Sequence, residues 1–183
     1  VAANLPQSTF FVSQIRKIAM RRILSLLLLL IVLTGCAGRS FIPEPELAPP
    51  DAPVALQYLL PPTFADDYDV LPEPVPFADE RGFLVAIRPR GGSATITIGG
   101  GTPARAVWEQ NQPIEGSDRI KKTLLRGVQG VAVIDPSLIT MAWVAGGVPY
   151  FVSVTTADDK TVQIFINALA VYDLDTWRSR VGR

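Results

Sequence analysis

The stretch Leu138-Ile139-Thr140-Met141-Ala142-Trp143-Val144-Ala145-Gly146-Gly147-Val148-Pro149-Tyr150-Phe151-Val152-Ser153-Val154-Thr155-Thr156 decides the fold. Two β-rich runs, Leu138 to Val144 and Val148 to Thr156, stand on either side of Ala145-Gly146-Gly147. A connection this short joins antiparallel neighbours, because parallel strands need a crossover of a dozen or more residues. Tyr150 and Phe151 are adjacent in the second run, so their side chains leave on opposite faces. One belongs in the core, and the other packs under a helix or stands exposed. Upstream, Gly130-Val131-Ala132-Val133-Ile134 ends at Asp135-Pro136. Downstream, the polar turn Ala157-Asp158-Asp159-Lys160 leads into the run Thr161 to Ile166, which extends through Leu169 to Tyr172 as one long strand. The C-terminal third therefore reads as an antiparallel meander.

Alternation appears earlier too. Phe83, Val85 and Ile87 alternate with Leu84, Ala86 and Arg88, and Ala94, Ile96 and Ile98 alternate with Thr95 and Thr97. Pro89-Arg90-Gly91-Gly92 between them is a turn signal, so the pair reads as a β-hairpin. Thr102-Pro103 reads as an N-cap followed by proline at the first helical position, heading a short helix over Ala104 to Gln110. A second helix is expected from Ser117 or Asp118 to Gly127. At 100° per residue, Ile120, Leu124 and Val128 share one face while Arg119, Lys122 and Arg126 share the other. Asp173 and Asp175 read as helix-start residues, with Asp175 heading a short terminal helix through Trp177 and Arg180. The expected class is α+β: mainly antiparallel β-sheet (hairpin plus C-terminal meander) with two or three short helices, in one domain over residues 81–183. That length suffices for one core.

Residues 36–80 read differently. Ten prolines fall between residues 37 and 80. Each fixes φ and removes a backbone donor, so a disordered acidic Pro-rich tether is expected ahead of the domain. Within it Val54-Ala55-Leu56-Gln57-Tyr58-Leu59-Leu60 is too apolar for a spacer and reads as an edge strand or short helix docked on the domain, or as a linear motif for a partner. Asp66-Asp67-Tyr68-Asp69 lacks EF-hand spacing and reads as a solvated acidic run.

The chain has 183 residues, with 17 basic and 17 acidic side chains. Four of the basic ones (Arg16, Lys17, Arg21 and Arg22) precede Cys36, leaving thirteen against seventeen, a net of −4. Residues 37–80 carry a net of −8 and residues 81–183 a net of +4. There is no histidine, and Cys36 is the only cysteine. Ser-His-Asp and Cys-His hydrolases and His-ligated metal enzymes are thereby excluded within this chain. Carboxylate, Ser-Lys and Tyr chemistries survive.

Arg16, Lys17, Arg21 and Arg22 form a positive n-region, and the run from Ile23 to Leu33 an apolar h-region. As a helix that run is about 17 Å long, too short for a hydrocarbon core of about 30 Å. Leu33-Thr34-Gly35-Cys36 follows directly. This order resembles the lipobox of bacterial membrane lipoproteins over residues 20–36. The resemblance implies that residues 20–35 are a signal peptide, that a diacylglyceryl group is added to the thiol of Cys36, that the chain is cut before it, and that the new amine is acylated. Two or more acyl chains make a stable anchor. Ala37 lacks the aspartate that often retains lipoproteins in the inner membrane, so the resemblance implies the inner leaflet of the outer membrane, with the domain facing the periplasm. Met20-Arg21-Arg22 is a natural beginning for such a signal, and residues 1–19 read as an upstream extension.

No catalytic, metal or cofactor site emerges. Gly99-Gly100-Gly101-Thr102 lacks the Lys-Ser/Thr of a phosphate loop and reads as a flexible connection. Asp158-Asp159 reads as an exposed hairpin turn. The basic residues Arg119, Lys122 and Arg126, with Arg88 and Arg90 as an extension, form a candidate surface for an anionic partner. Nucleic acid is not expected as a partner. The expected role is that of a lipid-anchored, non-enzymatic binding or assembly accessory of an envelope complex or the cell wall. A small periplasmic ligand-binding protein and an enzyme that needs neither histidine nor thiol are the alternatives.

Overall fold

The computed structural model describes residues 45–49, 52, 54–112, 117–155 and 157–182. Their elements run β1 (Tyr58–Leu60), α1 (Phe64–Asp67), β2 (Tyr68–Val70), β3 (Phe77–Asp79), β4 (Gly82–Pro89) and β5 (Ile96–Gly101). Then come α2 (Thr102–Gln110), β6 (Ile120–Leu125), β7 (Val128–Ile134), β8 (Leu138–Ala145) and β9 (Val148–Thr155). The chain closes with α3 (Asp159–Ala168), β10 (Ala170–Tyr172) and α4 (Leu174–Val181). The protein is α+β and mainly antiparallel β-sheet with four short helices.

The Gly146-Gly147 hairpin sits near the middle of an eight-stranded sheet with the order β2-β4-β5-β9-β8-β7-β6, and β3 pairs with β4. Both turn glycines have positive φ, 59° and 80°, which is why glycine occupies them. Cross-strand partners Trp143 and Tyr150 stack with centroids 5.6 Å apart. Tyr150 belongs to the core of the front face, where α3, α4 and the β1–β10 ribbon pack. Phe151 points to the back face and is buried with Ala104 and Trp108 of α2, against which Leu47 also packs. Opposite facing was legible; that a helix covers Phe151 was one of two readings, and the structure selects it.

Three expectations are corrected. Residues 54–80 are not linker: β1 pairs with β10, β2 and β3 pair with β4, and Leu59, Leu60 and Phe64 are buried. The expected docking of the Val54 to Leu60 run on the domain as a strand is what β1 shows. The prolines here end short strands instead of preventing them, since a three-residue strand needs few donors. Residues 36–44 of the expected tether, and the leader before them, lie outside the described residues.

The second correction is the helix at 117–127, which is strand β6 and the turn after it. Ile120 and Leu124 are spaced by four, which fits a helix face but is also an even number and so fits one face of a strand, while Val128 lies beyond the turn in β7. Arg126 (φ 51°) and Gly127 (φ 82°) make a two-residue turn of the hairpin type between β6 and β7. The third is the strand at 161–166, which is α3. Its Val, Ile and Phe content suggests a strand, but Val162, Ile166 and Leu169 bury one helical face. Asp158 caps the start, accepting from the Thr161 N–H at 2.9 Å and from the Thr161 hydroxyl at 2.6 Å. Asp173 repeats the device on Thr176 at the head of α4.

Gly99-Gly100 is likewise no flexible connection. Both glycines lie inside β5 and are buried. A Cβ on Gly99 would overlap the Phe151 ring, and one on Gly100 the rings of Phe83 and Tyr150. These rings come from the flanking strands β4 and β9, so the missing side chains are replaced by neighbouring aromatic surface. Thr102 is the first residue of α2, with Gly101 (φ 70°) as its cap, one position earlier than expected.

Candidate functional site

Strand β6 is the last strand of the sheet on its side. Arg119 accepts at its carbonyl from the Ile134 N–H at 2.9 Å, continuing the β6–β7 register. In an antiparallel pair, alternate residues exchange both hydrogen bonds with the partner strand. Arg119, Lys121, Thr123 and Leu125 are therefore bonded inward to β7. Ile120, Lys122 and Leu124 turn their N–H and C=O groups outward. The Leu124 carbonyl confirms the phase, because it accepts from the Gln163 side-chain amide of α3 at 2.8 Å. Gln163 thus closes the lower part of the edge. Among the described residues no strand pairs with the outer side of Ile120–Lys122.

Beside that open stretch lies a cleft of about 140 Å³. Ala132, Ile134 and Met141 form its apolar floor, and Lys121, Lys122, Thr123, Asp159, Lys160 and Gln163 its rim. Lys121, Lys122 and Lys160 are all exposed. Among the described residues none of the three forms an ion pair; the pairs present are Arg90–Asp69, Arg105–Glu109 and Arg119–Asp135. The rim carries three lysines against the single carboxylate of Asp159, so it is cationic on balance.

The expected basic face does not form as drawn. Arg119 is paired with Asp135. Lys122 stands on the open edge strand. Arg126 faces the end of α3, where its guanidinium donates to the carbonyls of Ile166 (3.2 Å) and Leu169 (2.6 Å) and its N–H to Asn167 Oδ1 (2.8 Å). Cationic groups suit the carbonyl end of a helix, so Arg126 acts as a C-cap from outside the helix. Of the three only Lys122 joins the cleft, where Lys121 and Lys160 replace the other two. Sequence reading missed Lys121 because a helical wheel separates it from Lys122. It missed Lys160 because a hairpin turn was expected there. Arg88 is exposed on the back of β4, and Arg90 is held by Asp69 and by the carbonyls of Ala65 and Asp66.

A second cleft of about 120 Å³ lies between Ala48, Ala52 and Val54 and the start of α2, with Arg81 and Arg105 beside it. There Ala48 donates to the Gly147 carbonyl at 2.9 Å and Arg105 donates to the Ala48 carbonyl, so the incoming chain is stitched to the sheet. Tyr150 adds another stitch, since its hydroxyl accepts from the Gln57 N–H at 3.0 Å. Burial holds the Tyr150 phenol above its ordinary pKa. The Asp158 and Asp173 carboxyls lie below the ordinary carboxylate value because each accepts from its own Thr161 or Thr176. These two aspartates are helix caps. Among the described residues no group of three Asp, Glu, His or Cys side chains is placed to hold a metal ion.

Cys36, Leu33, Thr34 and Gly35 lie outside the described residues. Residues 20–37 match the family model described as the prokaryotic membrane lipoprotein lipid attachment site. Comparison with curated proteins and with solved structures finds no match. The chain carries a lipobox and is anchored to a membrane of the cell envelope as a lipoprotein.

Proposed function

We propose that this lipoprotein is held by acyl chains on Cys36 in the outer membrane, faces the periplasm, and serves as a non-enzymatic binding accessory of an envelope protein complex. The binding role is supported by one observation above all. The outer edge of β6 offers unpaired backbone groups at Ile120 and Lys122 next to a cleft with an apolar floor and a cationic rim. Open edges of this kind accept strands from other chains. Both clefts are well below the roughly 300–1,000 Å³ typical of small-molecule sites, so they suit single side chains of a partner better than a carried ligand. Outer-membrane placement is supported by Ala37 in place of a retention aspartate.

Cross-linking in intact membranes, followed by purification of the acylated protein, tests the role. A stoichiometric protein partner is the expected result, and recovery of the lipoprotein alone removes the reading. Density-gradient separation of the two membranes tests the location, with the inner-membrane fraction as the contrary outcome. Cys36→Ala is expected to leave the precursor uncut or to release the protein from membranes. Normal processing and unchanged membrane association would remove the anchor from Cys36.

A further inference from the structure

The open edge of β6 has a chemistry that narrows its occupant. Resting on the accessory reading above, we propose that Ile120–Lys122 binds an extended, acidic segment of the partner protein as an additional antiparallel strand, with a small apolar side chain of that segment seated in the cleft beside Lys121 and Lys160.

Three features converge on this. The outward N–H and C=O groups of Ile120 and Lys122 supply up to four main-chain hydrogen bonds in strand geometry. Side chains of an added strand alternate between faces, so one in two enters the front face, where the cleft opens between β6 and the first turn of α3. Its volume of about 140 Å³ is close to that of a cavity of about 150 Å³ that takes a benzene-sized group, enough for one apolar side chain over Ala132, Ile134 and Met141. Main-chain bonds combined with a side-chain pocket are the pattern of strand-addition recognition.

Charge selects among occupants. Lys121, Lys122 and Lys160 lack carboxylate partners among the described residues. Pairing of β6 with β6 of a second copy would bring the lysines of both chains together, and like charges facing across strands are destabilising. An acidic strand meets the same lysines with opposite sign. Gln163 sets the limit of the site, since it already occupies the Leu124 carbonyl.

The test uses the full acylated chain in detergent micelles and a fluorescein-labelled peptide, Glu-Glu-Thr-Val-Thr-Glu-Glu, which carries carboxylates on both faces of the strand, followed by anisotropy, with a control peptide carrying Lys in place of each Glu. The Glu peptide is expected to bind saturably and about tenfold more tightly than the control, as several exposed charge pairs would give. Charge reversal at Lys121→Glu, Lys122→Glu and Lys160→Glu together should invert that preference. Lys122→Pro removes one outward donor and leaves the β6–β7 ladder intact, so it should abolish binding while the melting curve keeps its shape. No binding of the Glu peptide, equal binding of both peptides, or binding indifferent to Lys122→Pro overturns the proposal. So does dimerisation in sedimentation that only the charge-reversed variant loses. If the peptide fails while membranes still yield a stoichiometric partner, strand addition falls and the accessory role stands.

Discussion

The two edges of the sheet are finished in different ways. At β4 the edge is covered end to end: β2 pairs with residues 87–89, β3 pairs with residues 82–84, and the Leu71 N–H reaches the Ala86 carbonyl between them. Arg90 and Arg178 then fasten this cover, Arg90 through Asp69 and the carbonyls of Ala65 and Asp66, Arg178 through the Ala78 carbonyl. At β6, among the described residues, Leu124 alone is covered on the outer side, by a single glutamine, and the rest is left with lysines. Lysine on an edge strand discourages indiscriminate pairing. The same positive charge admits a partner of opposite sign, so protection and selectivity come from the same side chains. The contrast also shows that an acidic, proline-rich segment is compatible with order when its apolar residues find a place to dock.

The closed edge should be the more fragile under core mutation. Leu60 is fully buried where β1 meets the front-face core. Leu60→Ala is expected to cost about 2–5 kcal/mol, read from the shift of the urea midpoint. A cost near zero would mean that β1 only decorates the front face and does not anchor in its core.

A smaller loss is expected where β6 turns into β7. Arg126→Ala keeps a Cβ at the positive-φ position, so it isolates the lost bonds to the Ile166 and Leu169 carbonyls. The expected cost is about 1–3 kcal/mol, with faster amide exchange at the end of α3 as its local signature. Unchanged exchange there would show that Arg126 does not cap the helix.

Acid should loosen the opposite end of the same helix. The Asp158 carboxyl is lowered by its bonds from Thr161, so the unfolded chain takes up its proton first. Its contribution is therefore complete above the unfolded value and is lost as pH falls through about 4 and below. Asp158→Asn keeps a cap and should flatten that part of the pH–stability curve. An identical acid limb in both proteins would reject the assignment.

The smallest effect belongs to the open edge itself. Lys121→Ala with Lys122→Ala should alter unfolding stability by no more than about 0.5 kcal/mol per site, because exposed side chains without partners contribute little. A large loss would mean that these lysines hold the fold and are not kept for a partner.

Much of the fold was legible in the residues. The hairpins around Gly91-Gly92 and Gly146-Gly147 follow from period-two alternation and glycine-bearing turns, and both are present with the expected pairing. The helices expected near Thr102-Pro103 and through Trp177 are present, but their caps are Gly101 and Asp173 and not the expected Thr102 and Asp175. The misreadings came where local signals conflict. In α3 the Asp158–Thr161 cap competes with a β-branched run, and burial of Val162, Ile166 and Leu169 decides for the helix. In β6 a spacing of four satisfies both periods, and pairing with β7 decides for the strand. The candidate cleft was not legible for the same reason: Lys121 and Lys160 are 39 positions apart, and only the packing of α3 on β6 brings them together.

Taken alone, the sequence determined the lipid attachment signal, the absence of histidine and of any second cysteine, and the antiparallel character of the sheet. Each depends on residue identity or on neighbours a few positions apart. Only the tertiary structure decided that β2 and β3 cover β4, that among the described residues no strand covers the outer side of β6, and which lysines border the cleft. Those outcomes depend on which distant apolar surfaces bury each other and on which strands are left without a neighbour, and the energies of such contacts are set between elements and not within them.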